Sequence, residues 1–405
     1  MIKTIYSPHI YLPRSGVDMT RYAVIACDQY TSNLEYWDSL KKDIGDRVST
    51  FHMIYPEAYL ENTDGDKYVA SINININKYL TNKDIVDIGE CFILVERVTS
   101  YGVRRLGLVL AIDLEDYSYL RGSNAKIRAS EATIVERIPP RLKIRKDAPI
   151  ELPHVLLLFD DKEKKIVEDL YRNRDKLEKL YDFELNKDGG HIRGYKVSDV
   201  DSIKKKFDDL YNKNNNGLLF IVGDGNHSLA TAKAHWDNVK ETLTEKEREN
   251  HPARFALVEA NNLYDEGIIF EPIHRVLFNV NDSFINEIKK ISEGNFHSYI
   301  YSKNKGKIPF DMDSNAPKAY KKIQSFLDEY LKEHKEVRID FIHDEDELIN
   351  VANSGENNVA IKMPALTKDD LFDYIAGDLV LPRKSFSMGH ANEKRYYLEA
   401  KKIIY

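Results

Sequence analysis

The chemistry-bearing residues of this chain are densest in LLFIVGDGNHSLATAKAH, residues 218–235. A buried β-strand is expected to end in Gly223-Asp224-Gly225-Asn226-His227, with a small-residue helix opening near Ser228. Two glycines let the backbone turn sharply and come close to a ligand. The unbonded N–H groups and positive dipole of a helix start then suit an anion such as a phosphate. Asp224 has the chemistry to hold a metal or position a hydroxyl, and His227 to bond a phosphate oxygen or move a proton. The plainer alternative is that Asp224 caps the helix and His227 bonds backbone.

Four further groups have suitable side chains. EGIIFEPIHRVLF sets Glu271, His274 and Arg275 in an apolar run, which implies either a ligand anion or, favoured here, an internal ion pair. IRASEATIVERIPPRLKIR carries Arg128, Arg137, Arg141 and Arg145 with Glu131 and Glu136 between them. Its arginines are able to clamp a phosphate bidentately, although a solvated helix face is the commoner meaning of such a pattern. Cys27-Asp28-Gln29-Tyr30 follows an apolar strand, where carboxylates of open α/β sheets often face the ligand crevice. Lys384, in Leu381-Pro-Arg-Lys-Ser385, has the charge for a phosphate but reads first as a solvated loop lysine. His154, in ELPH, reads as a core histidine or one that supports a site residue from behind, and receives no role; DGGH, 188–191, reads as a hairpin turn.

The elements that must carry these residues alternate between strand and helix. Tyr22–Ala26 reads as a short buried strand, followed by a helix capped by Thr31 or Ser32 with Leu34, Trp37 and Leu40 on one face. Residues 91–97 and 106–112 flank a Gly-containing turn and form a hairpin. Pro139 and Pro140 are expected to end a helix begun in the arginine-rich segment. Residues 162–184 read as a charged surface helix, and 183–197 as two strands joined through Asp188-Gly189-Gly190. The expected organisation is a main α/β domain over 1–280, a smaller α/β subdomain over 281–366, and a return to the main domain over 367–405.

Composition narrows the function classes. The chain has 405 residues, 42% of them hydrophobic and 31% charged, which fits folded domains with real cores. Its 59 basic and 66 acidic residues leave a net charge of −7, which argues against a nucleic-acid partner. Two cysteines, Cys27 and Cys91, exclude a disulfide scaffold and a Cys-rich zinc site. No apolar run is long enough to span a bilayer and the N-terminus lacks a signal-peptide apolar region, so a cytoplasmic location without membrane attachment is expected.

The run GDGNHSLATAKAH followed by GIIFEPIHRVLF, together with SEATIVERIPPRLKIR, LPRKS and ACDQY, resembles domain-of-unknown-function family 1015 over nearly the whole chain. The resemblance implies a ParB/sulfiredoxin-like mixed sheet, a fold that includes CTP-dependent partition proteins, sulfiredoxins and free-serine kinases. In those kinases an Asp-Gly-His-His-Arg box contacts nucleotide phosphates, and a carboxylate nearer the N-terminus deprotonates serine. The box falls on Asp224, Gly225, Asn226, His227 and Ser228, with Asn226 and Ser228 departing from the His and the Arg. Arg275, Arg141 or Lys384 is then expected to supply the missing charge, with His274 nearby, and Asp28 or Glu131 to act as base.

The implied function is a phosphotransferase that uses ADP or ATP with Mg2+, held at Asp224, on a small hydroxylated metabolite such as free L-serine. The alternatives are a nucleotide-binding regulatory module without phosphotransfer, for which a homodimer is expected, and a nucleotide hydrolase.

Overall fold

The structure, a computed structural model, describes residues 3–131, 138–377 and 380–405, the side chains of residues 139 and 140 apart. Arg137 and Glu136 therefore lie outside the described residues. The chain divides into two units. The first comprises residues 1–129, 133–268 and 390–405, and the second residues 130–132 and 269–389. The divisions fall at 268 and 389, against expected boundaries at 280 and 366. The apolar strand His274–Phe278 belongs to the smaller unit, pairing there with Arg338–Ile342 and Val359–Ile361.

The first unit is built on a mixed ten-stranded sheet. Its order runs Glu178–Leu185, Gly190–Val197, Phe92–Val98, Arg104–Asp113, Phe255–Asn262, Leu156–Phe159, Phe220–Asp224, Ile127–Ala129, Tyr117–Ser118, with Ile5–Tyr6 added on Arg104–Asp113. Successive residues of a strand face opposite sides, and both sides are buried here. Ile93, Val95, Val109 and Leu257 pack with Trp37, Leu40, Ile72, Tyr396 and Tyr397. Phe92, Leu94, Leu108, Leu110 and Val258 pack with Phe207, Leu229 and Trp236. This explains why the central strands are continuously apolar rather than alternating.

The second unit carries a five-stranded antiparallel sheet in the order Gly306–Met312, Phe296–Ser302, Val359–Ile361, His274–Phe278, Arg338–Ile342. Its long helix, Ala316–Glu333, buries Ala316, Ala319, Tyr320, Ile323, Leu327 and Tyr330, the three-and-four spacing of an amphipathic face. Among the described residues, no helix is long and apolar enough to cross a membrane.

Three local expectations are corrected. The helix after Tyr30 runs Leu34–Ile44 and is capped by Asn33, whose side chain accepts the Tyr36 N–H at 2.9 Å. Pro139 and Pro140 open the helix Ile138–Lys146 instead of closing one, since a first helical turn does not need their missing N–H. Within 162–184 only Val167–Arg172 is α-helical; Glu178–Leu185 is the edge strand of the hairpin with Gly190–Val197. Cross-strand pairing outweighs the helix propensity of its Glu, Lys and Leu residues.

Candidate active site

Strand Phe220–Asp224 ends at Gly225, whose φ of +83° turns the chain into the helix Asn226–Lys240. The helix therefore starts two residues before Ser228. Gly225 has no side chain with which to cap it, and Asp224 Oδ1 instead accepts the Gly225 N–H at 3.0 Å. A Cβ at position 225 would meet Val155 Cα at 3.0 Å, so glycine is required by packing as well as by φ. Asn226, His227 and Ser228 form the half-buried first turn, and Thr231 Oγ1 donates to the His227 carbonyl at 2.7 Å.

Strand pairing determines what surrounds this turn. Leu156 lies opposite Asp224 in the antiparallel pair, which brings His154, two residues earlier, beside the turn. Val24–Ile25 pairs with Tyr396–Tyr397, and Ala26 N–H donates to the Arg395 carbonyl, so Cys27 and Asp28 leave their strand next to the C-terminal segment. The outcome is a continuous polar chain. Asp28 Oδ2 lies 3.5 Å from His154 Nε2, and His154 Nδ1 lies 2.7 Å from the Tyr397 hydroxyl. That hydroxyl donates to Cys27 Sγ at 3.1 Å. Gln29 Nε2 donates to Asp28 Oδ1 at 3.0 Å, and Lys394 Nζ sits 3.2 Å from Asp224 Oδ2.

The electrostatics follow from burial and pairing. Burial pushes the Asp28 carboxyl up, but His154, Gln29 and Lys394 together hold it below the ordinary carboxylate range. Burial opposes protonation of His154, yet Asp28 foremost, with Asp224 and Glu57, raises its pKa above the usual imidazole value. An imidazolium donates from both ring nitrogens, to Asp28 and to the Tyr397 oxygen, which fits this chain of contacts. Burial pushes the Cys27 thiol up to about 12, which leaves it a poor thiolate nucleophile. Glu57, whose N–H donates to the Cys27 carbonyl, pairs with Arg141 from the proline-opened helix.

Of the remaining predicted residues, Arg128 and Arg145 lie in the first unit, where Arg128 donates to the Ala125 carbonyl at 2.8 Å and Arg145 pairs with Glu151. Glu131, Glu271, His274, Arg275 and Lys384 lie in the second. Glu131 accepts the N–H groups of Lys384 and Ser385 at 3.1 and 3.0 Å, tying down the loop in which Lys384 adopts a φ of +58°. Both carboxylate oxygens of Glu131, the other candidate base, are thus engaged by backbone of this loop. His274 is buried, accepts the Met363 N–H at Nδ1 and is pushed down to about 4 by burial, which keeps it neutral. Arg275 is fully buried between the Tyr320 and Phe341 rings. It donates to the Ile273 and Lys384 carbonyls and to Gln324 Oε1. The phosphate clamp expected of Arg275, and the ion pair favoured for it, are both replaced by carbonyl and ring contacts.

Among the described residues, no three His, Cys, Asp or Glu side chains are grouped to hold a metal. Asp224, expected to carry Mg2+, already has an ammonium on one oxygen and a backbone N–H on the other. That donor set does not fit a protein-held cation.

His154, Tyr397 and Lys394 were not apparent from sequence. The available signal was EKRYYLEAKK, in which Lys394, Arg395, Glu399 and Lys401 are interleaved with large apolar residues; all four charges are buried.

No curated protein matches the chain. Among solved structures, a free serine kinase in complex with AMP is 10% identical, with a TM-score of 0.41, covering 73% of this chain and 92% of its own. SbnI with a C-terminal truncation, from Staphylococcus aureus, is 9% identical with a TM-score of 0.38, covering 69% and 82%. A conserved hypothetical protein from Pyrococcus furiosus is 11% identical with a TM-score of 0.34, covering 72% and 90%. The family described as "Protein of unknown function (DUF1015)" matches residues 11–402, a span that takes in both units and most of the C-terminal segment, and the chain belongs to that family.

Proposed function

We propose that the chain is a nucleotide-dependent phosphotransferase acting on a small hydroxylated metabolite, with free L-serine as the favoured acceptor. The observation that carries this is the Gly225 turn at the start of a fifteen-residue helix, with Asp28, His154, Asp224 and Lys394 gathered beside it. Phosphoryl transfer asks a protein mainly for positioning and charge neutralisation. The helix start and its turn, Gly223 to Ser228, bind the phosphates of ADP or ATP, with His227 in the first turn. Mg2+ enters with the nucleotide, on its own phosphate oxygens.

Asp28, held ionised by His154, orients the acceptor hydroxyl. As the new oxygen–phosphorus bond forms and the bond to the leaving nucleotide breaks, the hydroxyl proton passes to the Asp28 carboxylate. The leaving nucleotide departs one phosphoryl group shorter.

The test is incubation of the protein with Mg2+, L-serine and each of ATP, ADP and CTP, with products read by mass spectrometry and Asp28→Asn as control. Phosphoserine that is lost in the variant supports the proposal and names the donor. Nucleotide loss without a phosphorylated acceptor indicates hydrolysis, and binding without turnover indicates a regulatory module.

A further inference from the structure

We infer that the first unit binds a monovalent anion of halide size in a small cavity between Arg97 and Arg105. The cavity is lined by Arg97, Arg105, Arg395, Glu259, Glu399 and Tyr396, and has room for about one solvent-sized body. Three guanidiniums and two carboxylates line it, which leaves one positive charge in excess. The site is independent of the phosphotransferase proposed above.

The excess charge resides on Arg97 and Arg105. Arg395 serves both carboxylates, through Nε to Glu259 at 2.8 Å and through Nη2 to Glu399 at 2.6 Å. The other oxygen of each accepts from Asn261 Nδ2 or from the Tyr181 hydroxyl. Among the described residues, Arg97 and Arg105 are ion-paired with no carboxylate, although they are only 2% and 5% exposed. They stand directly opposite each other in the antiparallel pair of Phe92–Val98 with Arg104–Asp113, where like charges repel. Arg97 donates to the carbonyls of Gly189, Asn392 and Lys394. Arg105 Nη1 donates to the Glu393 carbonyl, while its buried Nε has no acceptor.

Carbonyl dipoles solvate a guanidinium but bring no counter-charge. A buried cation without one is costly, and so is a buried N–H without an acceptor. Burial, with repulsion from Arg105, pushes the Arg97 guanidinium down to about 10. A monovalent anion accepts from Arg105 Nε, offsets the excess charge and relieves the repulsion between the opposed arginines. The size of the cavity restricts it to a single atom such as chloride or bromide, and excludes phosphate and sulfate. Three of the carbonyls that the two arginines hold belong to residues 392–394, which lead into Tyr396 and Tyr397 and their pairing with Val24–Ile25. The anion thereby secures the return of the C-terminal segment, on which the contact of Tyr397 with His154 depends.

The experiment is anomalous diffraction from crystals of the full chain grown in sodium bromide, with urea denaturation in sodium chloride and in sodium gluconate at equal ionic strength. Bromide is expected as an anomalous peak in the cavity, within hydrogen-bond distance of Arg105 Nε. Chloride should raise the urea midpoint above its gluconate value in a saturable way. The folded-to-unfolded ratio should rise about 10-fold when chloride stands at about ten times its dissociation constant. Arg105→Met should lose this response and Arg105→Lys should retain part of it. Density in the cavity without an anomalous signal, which marks a water, overturns the inference. Equal midpoints in the two salts, or a chloride response that persists in Arg105→Met, overturn it as well. If Arg105→Met does not fold, the bromide peak and the wild-type salt comparison decide the matter.

Discussion

His154 Nδ1 and the Tyr397 hydroxyl lie 2.7 Å apart, joined across 243 residues of sequence, with their rings edge to face at 87°. Both groups are buried, so neither has water as an easy substitute partner. Tyr397→Phe keeps the ring but removes the oxygen that accepts from His154 and donates to Cys27. The expected cost is about 1–3 kcal/mol, the penalty for stranding a buried polar group. Urea denaturation of the two proteins checks this. A midpoint shift too small to measure would mean that the contact contributes nothing.

The Asp28–His154 pair predicts a bounded pH window of stabilisation. Asp28 has a folded pKa below its ordinary 3.8, so its contribution is present above 3.8 and is lost as pH falls through the folded value. His154 has a folded pKa above 6.5, so its contribution is full below 6.5 and is lost as pH rises through the raised value. The stability difference between wild type and Asp28→Asn should therefore be greatest between 3.8 and 6.5 and decline on both sides. Using the difference cancels titration of unrelated groups, such as His274. Denaturation at half-unit pH steps reads it, and a flat profile from pH 3 to 9 would count against the coupling.

What was legible in the sequence was largely local. The apolar run 218–222 and its glycines announced the strand, the turn and the helix, because strand hydrophobicity and glycine's access to positive φ are properties of a few neighbouring residues. The hairpin of Phe92–Val98 with Arg104–Asp113 was legible for the same reason. Pairings across hundreds of residues were not. Tyr397 with Ile25's strand and Lys394 with Asp224 depend on where the chain returns, which no local pattern encodes. His154 looked like a core residue because the segment around it is apolar; its partners are Asp28 and Tyr397, from the two ends of the chain. Edge strand Glu178–Leu185 was misread because its composition favours a helix until Gly190–Val197 supplies hydrogen bonds.

The C-terminal segment is expected to be a stability determinant as well as a source of site residues. Arg395 is 4% exposed and pairs with Glu259 through Nε and with Glu399 through Nη2. Arg395→Met leaves two buried carboxylates without their cation, and breaking such an arrangement costs about 3–5 kcal/mol. Arg395→Lys should recover only part of this, because one ammonium lacks the planar fork that serves two carboxylates at once. Denaturant midpoints of the three proteins check the order wild type, Lys, Met; equal midpoints for Lys and Met would show that charge alone contributes little here.

Two carboxylates that sequence alone left equivalent as candidate bases are expected to behave differently. Glu131 uses both oxygens on the backbone N–H groups of Lys384 and Ser385, and burial raises its pKa against those bonds. Glu131→Gln removes one acceptor, since its amide nitrogen cannot accept an N–H, and should cost about 1 kcal/mol of stability. Asp28 instead presents a carboxylate that His154 keeps ionised, with its side chain 30% exposed. Asp28→Asn should lower turnover about 10²- to 10⁴-fold, the usual worth of general base catalysis, without comparable loss of ADP binding. Turnover and ADP affinity measured on both variants separate the cases: a large turnover loss confined to Glu131→Gln would transfer the base to the second unit, whereas loss confined to Asp28→Asn assigns proton transfer to the residue beside the Gly225 turn.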